Sequence, residues 1–239
     1  MQKSIIIIPA RFHSSRFPGK SLEMIDEYNV IQSVYLRAKQ VNNAEKVIVA
    51  TDDQRIKDSI DSIGGEAIIT KEEHQNGTSR IAEVARQFPQ FNLVINVQGD
   101  EPFIDPIAIQ DLITYLKERK QSIVTLKKKC GIDEVFDVNT VKVISEDGIA
   151  KHFLRRREDE TVQRPEYFKH IGIYGFLIDT LLEIVNLEPT QSEINESLEQ
   201  LRWLENGYDI GVIETVSESI GIDVPSDLEK ARQFANSLS

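Results

Sequence analysis

Arg11, Arg16 and Lys20 stand close together near the start of the chain, with Ser14 and Ser15 among them, Pro18 to stiffen a turn and Gly19 to free it. The chain carries 39 acidic residues, yet none falls among the first 22. A basic, acid-free loop of this kind suits a polyanion, and a triphosphate is the natural guest. The same cations read equally as a solvated loop facing the acids of a chain of net charge −11. The loop is not a P-loop. Gly19-Lys20-Ser21 matches the end of G-x-x-x-x-G-K-S/T, but Ser14 occupies the first glycine position and Pro18 lacks an amide hydrogen that a phosphate cradle would use.

Val97-Gln98-Gly99-Asp100-Glu101-Pro102 offers a carboxylate that can complement such a guest. Mg²⁺ prefers an octahedron of oxygens and usually takes one or two carboxylates plus substrate phosphates, so Asp100 facing a triphosphate is a sensible ligand. The stretch also reads as a tight turn with a solvated acid. Asp223, in Gly-Ile-Asp-Val-Pro, is a third candidate. Its other reading is an N-cap for the last helix, although Ser226 looks better placed for that duty. Cys130, the single cysteine, has no His near it in sequence and reads as a structural thiol.

Bringing these groups together requires a scaffold of strands and helices. Ile5 to Ile8 form an apolar β-branched run typical of a central parallel strand buried on both faces, with Pro9 expected to end its ladder. Val30, Ile31, Val34, Ala38 and Val41 then repeat at helical spacing behind Asn29, a plausible N-cap. Lys46 to Ala50 is a second strand. Asp52-Asp53 opens a helix bearing Ile56, Ile60 and Ile63, which Gly64-Gly65 closes. Ala67 to Ile69 is a short strand, and Thr78 is predicted to cap a helix carrying Ile81, Val84, Ala85 and Phe88. Leu93 to Val97 is a buried strand, and Asp105-Pro106 starts the next helix. The alternation predicts an α/β fold of three αβα layers around a predominantly parallel, mixed sheet. In such a sheet the basic loop and the Asp100 turn both open into the crevice at the carboxyl ends of the strands.

Past residue 120 the rhythm changes to strands at Ser122 to Leu126, Val141 to Ser145 and Ile149 to Phe153, with Glu146-Asp147-Gly148 as a hairpin turn. Arg155 to Arg164 is a charged loop, read either as a surface segment or as a lid facing a substrate. His170 to Phe176 returns as a strand. A helix with Leu198, Leu201, Trp203 and Leu204 ends at Gly207, and a strand over Ile210 to Val216 precedes a terminal helix. Residues 1–239 are read as one domain with a β-rich excursion at about 122–176. At 40% hydrophobic and 28% charged, with no apolar run long enough for a membrane span and no signal-peptide layout, the chain is expected to be cytoplasmic, with no membrane insertion. An acidic chain without a basic face is a poor candidate for binding nucleic acid.

The segments IIPAR, SSRFPGKSL, VATDD, HQNGTSR, VINVQGDEPFI, NTVKV, KHIGIYGF, ESLEQLRWLENG and GIDVPSDL occur in that order. Together they resemble the 3-deoxy-manno-octulosonate (Kdo) cytidylyltransferases over nearly the whole chain. The resemblance implies a nucleotide-diphospho-sugar transferase-like fold, a homodimer and Mg²⁺. It implies transfer of CMP from CTP to an acidic 3-deoxy keto-sugar, releasing pyrophosphate, in lipopolysaccharide biosynthesis. It assigns Asp100 and Asp223 to the metal, and Lys20 and Arg11 with them to the catalytic set. CTP would meet Ala10, Arg11, Ser14, Arg16, Lys20, Thr78, Arg80 and Asp100. The sugar would meet Gln98, His170, Tyr174, Glu199, Gln200 and Arg202, with the excursion serving the sugar side and dimerisation.

The chain departs from the family pattern at three places. Glu27 to Ile31 replace a Gly-Lys-Pro-Met-Ile turn, Ser79 stands where an acid is usual, and His152-Phe153-Leu154-Arg155 with the charged loop recasts a sugar-side segment. With Ser79 and Leu154 to Glu160 expected near the sugar, the substrate is read as Kdo or a close analogue such as 8-amino-Kdo. The further alternative is a relative that binds nucleotide without catalysis.

Overall fold

The computed structural model describes residues 2–14, 16–118, 121–156, 166–217 and 220–238. Ser15 and the charged stretch from Arg157 to Arg164, including Glu158, Asp159 and Glu160, lie outside the described residues.

The first half alternates as expected: β1 (Ser4–Ala10), α1 (Val30–Ala38), β2 (Lys46–Thr51), α2 (Gln54–Asp61), β3 (Ala67–Ile69), α3 (Gly77–Ala85), β4 (Leu93–Asn96) and α4 (Pro106–Glu118). Then come β5 (Ile123–Lys129), α5 (Ile132–Phe136), β6 (Lys142–Glu146), β7 (Ile149–Leu154), β8 (Phe168–Leu177), α6 (Ile178–Ile184), α7 (Gln191–Glu196), α8 (Glu199–Glu205), β9 (Ile210–Glu214) and α9 (Pro225–Leu238). Among the described residues nine strands join in one mixed sheet, in the order β3-β2-β1-β4-β8-β5-β9-β7-β6. β1, β2, β3 and β4 are parallel, and β8 is the antiparallel strand between β4 and β5. β6 also pairs back onto β8 at Val143 and Phe168, so the strands from β8 to β6 close into a ring.

β1 shows why the sheet has three layers. Ile6 and Ile8 pack with Ile31 of α1, Ile60 of α2 and Leu112 of α4, whereas Ile5 and Ile7 pack with Ile81 of α3, Leu181 of α6 and Trp203 of α8. All four isoleucines are fully buried, each contributing about 1.5–3 kcal/mol relative to exposure. A third cluster of Val30, Ile222, Leu228 and Ala231 seats α9 beside Phe17 of the basic loop.

Three local expectations need correction. Pro9 does not end the ladder: β1 runs to Ala10, with Pro9 opposite Ala50 of β2. Pro9 has the parity of Ile7, whose carbonyl accepts from Val97 on the β4 side, and β4 stops pairing after Asn96, so the missing N–H falls where no partner strand needs it. The cap of α3 is Asn76, whose side chain accepts from the Ser79 amide, and Thr78 lies inside the first turn. At α9 the helix begins at Pro225, placing Ser226 inside the first turn, and Asp227 reaches back to accept from the Asp223 and Val224 amides. Asn29 caps α1 in a full capping box with Gln32, as predicted. The hairpin turn at Asp147 and Gly148 has positive φ at both residues, the geometry that matches strand twist.

Candidate active site

The carboxyl ends of β1 and β4 open into one cavity of about 350 Å³, lined by the basic loop on one side and the Gln98-Gly99-Asp100 turn on the other. The two walls are pressed together at Gly99. A Cβ there would stand 2.6 Å from the Pro9 carbonyl oxygen, so only glycine allows this approach. On the opposite wall Gly19, with φ of 77°, turns the chain into a short 3₁₀ turn over Lys20–Leu22 and drops Lys20 into the interior.

Lys20 is the point on which the acidic loops converge. Its Nζ donates to Asp100 Oδ2 at 2.7 Å and to the Ile222 carbonyl at 2.7 Å, and stands 3.6 Å from Asp223 Oδ1. Arg16 closes the set, its guanidinium 2.5 Å from Asp223 Oδ2. The Ile222 amide donates to the Asp100 carbonyl, fixing the two acid-bearing segments against each other through the backbone. The side chain of Lys20 is 11% exposed, against 36% for Asp100 and 40% for Asp223, so the carboxylates border the cavity while the ammonium supports them from within. Arg16 and Lys20 thus do face acids, as the solvated-loop reading required, but the acids are those of the site. Arg11 lines the same cavity, is exposed, and makes no ion pair among the described residues.

A pair of carboxylates at a polyanion cavity suits Mg²⁺. Among the described residues no three His, Cys, Asp or Glu side chains gather as a metal cage. Asp100 and Asp223 are two carboxylates on adjoining loops at one cavity, and two carboxylates with phosphates and water are a donor set of the kind Mg²⁺ takes.

A second cavity of about 200 Å³ adjoins the first, and Gln98 lines both. Its floor comes from an irregularity in the β5–β8 pairing: the register slips between Thr125 and Leu126, leaving Gly172 and Ile173 of β8 out of step. The Gly172 carbonyl accepts from Gln98 Nε2 at 3.2 Å. His170 and Tyr174 flank the slip, their rings 5.4 Å apart, and the Phe153 ring meets His170 edge to face with centroids 5.0 Å apart. Burial pushes the His170 imidazole down to about 3, so it is neutral at physiological pH. Burial, and then the Glu199 carboxylate, push the Tyr174 phenol well above its ordinary range; the nearby Thr125 hydroxyl pulls the other way, although no partner among the described residues meets hydrogen-bond geometry at the phenol oxygen. Burial also raises the Glu199 carboxyl, which accepts from Thr78 Oγ1 at 2.7 Å and Asn76 Nδ2 at 3.0 Å.

Three polar atoms on residues lining this cavity are buried without a hydrogen-bond partner among the described residues: Asn96 Oδ1, Tyr174 Oη and Trp203 Nε1. A buried unpaired polar group costs about 1–3 kcal/mol, and three around one cavity call for a ligand rich in hydroxyls or other polar groups. Asn96 and Trp203 were absent from the expected sugar set. The available signal was an Asn inside the otherwise apolar Leu93 to Val97 run.

Most residues expected at the nucleotide fall on the first cavity: Ala10, Arg11, Ser14, Arg16, Lys20, Arg80 and Asp100. Arg80 is buried and already held by Thr70 Oγ1 at 2.5 Å and Asp52 Oδ2 at 2.7 Å. Thr78 lines the second cavity instead. Of the residues expected at the sugar, Gln98, His170, Tyr174, Glu199 and Gln200 come together around the second cavity. Arg202 does not: it sits behind Glu199, 3.0 Å from its Oε1, and also meets Glu193 and the Leu187 carbonyl. Ser79, expected near the sugar, lines neither cavity. Its hydroxyl donates to the Asn76 carbonyl and lies 3.2 Å from His74 Nδ1, while the other ring nitrogen of His74 makes a very short contact with Glu83. Arg155 and Arg156 border a separate open cleft with Arg16 and Asp223. The Cys130 thiol is pushed up by burial and by Glu134, in keeping with a structural role.

Residues 5–210 match the family model for Cytidylyltransferase. A 3-deoxy-manno-octulosonate cytidylyltransferase of Fusobacterium nucleatum subsp. nucleatum is 44% identical over 240 residues, covering 97% of this chain and 96% of its own. One from Thermodesulfovibrio yellowstonii is 42% identical and covers 99% of each chain. The solved structure of a CMP:2-keto-3-deoxy-manno-octonic acid synthetase complexed with CTP superimposes with a TM-score of 0.94 at 36% identity, covering 100% of both chains.

Proposed function

This chain belongs to the cytidylyltransferase family, and from that premise we propose that it transfers CMP from CTP to the anomeric hydroxyl of 3-deoxy-manno-octulosonate, releasing pyrophosphate. The observation that carries the reading is the junction of two unlike cavities at Gln98: one basic with a carboxylate pair, the other walled by unpaired polar atoms. In the reaction the sugar oxygen forms a bond to the α-phosphorus as the bond to the β-phosphate oxygen breaks, and the hydroxyl proton is lost. Such a step needs positioning and charge neutralisation more than covalent catalysis. Arg11, Arg16 and Lys20 offset the triphosphate charge, and Lys20 and Arg16 remain in place as it passes to pyrophosphate. Asp100 and Asp223 would hold Mg²⁺, which when bound polarises the reacting phosphate. On the sugar side, neutral His170, Gln98, Gln200 and the unpaired Asn96, Tyr174 and Trp203 groups orient the hydroxyls, while Arg202 fixes Glu199 from behind.

Ser79, turned onto His74 and away from both cavities, gives no reason to prefer a sugar other than Kdo. The reading includes a homodimer and a cytoplasmic site of action. The described residues contain no helix long and apolar enough to cross a membrane. The test is pyrophosphate release with CTP, UTP, ATP and GTP against Kdo, 8-amino-Kdo and other acidic 3-deoxy keto-sugars. CTP with Kdo should be the productive pair, and release with a different nucleotide or with no acidic sugar would overturn the reading.

A further inference from the structure

Thr125 lies directly behind His170, fully buried at the register slip between β5 and β8. Its hydroxyl oxygen is 2.7 Å from the Ile173 carbonyl, 3.2 Å from the Ile171 carbonyl and 3.0 Å from His170 Nε2. A threonine hydroxyl has one proton to give. Were it given to His170, two carbonyl oxygens would press lone pairs against the same oxygen with no hydrogen between them, at 2.7 Å in the nearer case. Given to Ile173, it leaves the Thr125 oxygen as an acceptor, and His170 Nε2 must then carry the hydrogen. A neutral imidazole has only one N–H, so Nδ1 is left with its lone pair. Nδ1 makes no hydrogen bond among the described residues, and His170 lines the second cavity.

We propose that Thr125 is a positioning residue that locks His170 in the Nε2–H tautomer, so that Nδ1 faces the cavity as a hydrogen-bond acceptor for a hydroxyl of the sugar. The backbone makes the lock. Ile171 and Ile173, two apart on β8, turn their carbonyls to the same side, and at the register slip both meet the Thr125 side chain, a residue that brings a donor, an acceptor and a methyl group that packs. Phe153 and Tyr174 hold the ring plane, and Thr125 sets which nitrogen bears the proton. A binding site that offers an acceptor discriminates against a sugar lacking the matching hydroxyl, because the lone pair is then left buried and unpaired.

The inference rests on the sugar reading above for its ligand, but its spectroscopic test does not. Protein labelled with ¹⁵N at histidine carries four imidazoles, and the His170→Gln variant assigns the ring of interest. At neutral pH the wild-type His170 signal should show a protonated Nε2 and a bare Nδ1. In Thr125→Val, which keeps the shape but not the hydroxyl, that tautomer should be lost or mixed. The KM for the acidic sugar should rise roughly tenfold, the scale of one hydrogen bond, with the KM for CTP within about twofold. Thr125→Ser should restore both. A wild-type Nδ1–H tautomer, or a Thr125→Val variant whose sugar KM rises while the tautomer stays put, would overturn the proposal. If Thr125→Val does not fold, the wild-type spectrum and Thr125→Ser still decide. An Nε2–H signal in a protein that turns over no acidic sugar would instead overturn the functional reading.

Discussion

Lys20 bonds a carboxylate on one loop and a carbonyl on another while standing near a second carboxylate, so a change there should be felt by several partners at once. Lys20→Met removes the ammonium with little change in volume. CTP affinity measured by calorimetry should fall by about 1.5–3 kcal/mol, the range for a charge-assisted hydrogen bond, with a smaller change for the sugar. Equal losses for both ligands would place Lys20 outside the triphosphate site. Asp100→Asn keeps the shape of the Asp100 side chain but not its charge. Pyrophosphate release should drop roughly 10²-fold while CTP binding survives, and near-normal turnover at limiting Mg²⁺ would sink the metal assignment. His170 sets a pH dependence of stability. Its pKa is about 3 when folded against about 6.5 when exposed, so between those values the unfolded chain takes up a proton that the folded chain does not. Stability from this group is full above about pH 6.5 and is lost as pH falls toward 3, amounting to about 2 kcal/mol at most by pH 5. Glu199, raised by burial, acts with the opposite sign, gaining stability on acidification, and is common to both proteins in a comparison. Urea midpoints at pH 7.5 and 5 should therefore fall further for the wild type than for His170→Phe.

At the scale of elements, the site depends on how closely β1 and the turn after β4 approach. Gly99→Ala would push a methyl group 2.6 Å from the Pro9 carbonyl oxygen and 3.2 Å from Ile31 Cδ1, and backbone cannot yield as a flexible side chain can. Thermal unfolding should show a loss of about 1–3 kcal/mol together with weaker CTP binding, whereas Gly221→Ala, with nothing within 4 Å, should leave both unchanged. An unperturbed Gly99→Ala protein would mean that the two walls are not in register as described. That contact is invisible in the sequence, where Gly99 is only a turn residue. What could be read there was whatever local pattern decides alone: the Ile5 to Ile8 run, the Asn29 cap with its helix, the Asp147-Gly148 hairpin and the acid in the Asp100 turn. The helices α5, α6 and α7 span five to seven residues and leave little periodic trace, whereas α8, equally short, is legible because Leu198, Leu201, Trp203 and Leu204 mark its buried face. Thr78 reads as a cap because Ser and Thr are good caps. Asn76, two residues earlier, does that work, and the freed Thr78 hydroxyl meets Glu199 across more than a hundred residues of sequence. The register slip that shapes the second cavity, and hence the roles of Asn96, Thr125 and Trp203, follows from the pairing of β5 with β8, which a strand's own residues do not specify.

For the whole molecule, the closing of the ring from β8 to β6 decides which surfaces remain to be covered. Lys142, fully buried, pins that closure: its ammonium donates to the Asp137, Thr140 and Arg155 carbonyls, tying the segment before β6 to the segment after β7. With β6 paired on both sides, exposed apolar side chains in this region lie on the segments around the ring: Val138 at 47% exposure and Ile194 at 60%. They lie at the cleft bordered by Val138, Arg155 and Asn195, and in the proposed homodimer this surface would be the contact for a second copy. Each copy carries a net charge of −11, so two copies repel at long range, and on the proposed surface apolar burial at Val138 and Ile194 would supply the attraction. The sign of the salt effect then follows. Raising ionic strength from about 0.02 to about 0.2 M shortens the range of the repulsion, since the Debye length falls from about 21 to about 7 Å, and leaves apolar burial intact. The dimer dissociation constant from sedimentation equilibrium should therefore decrease with salt over that range, the reverse of a complex held by ion pairs. Val138→Glu combined with Ile194→Glu should give a folded monomer, because each change places a charge where apolar surface would be buried. A wild-type chain that sediments as a monomer at every salt concentration, or a dimer that loosens as salt rises, would rule out this surface as the joint between copies.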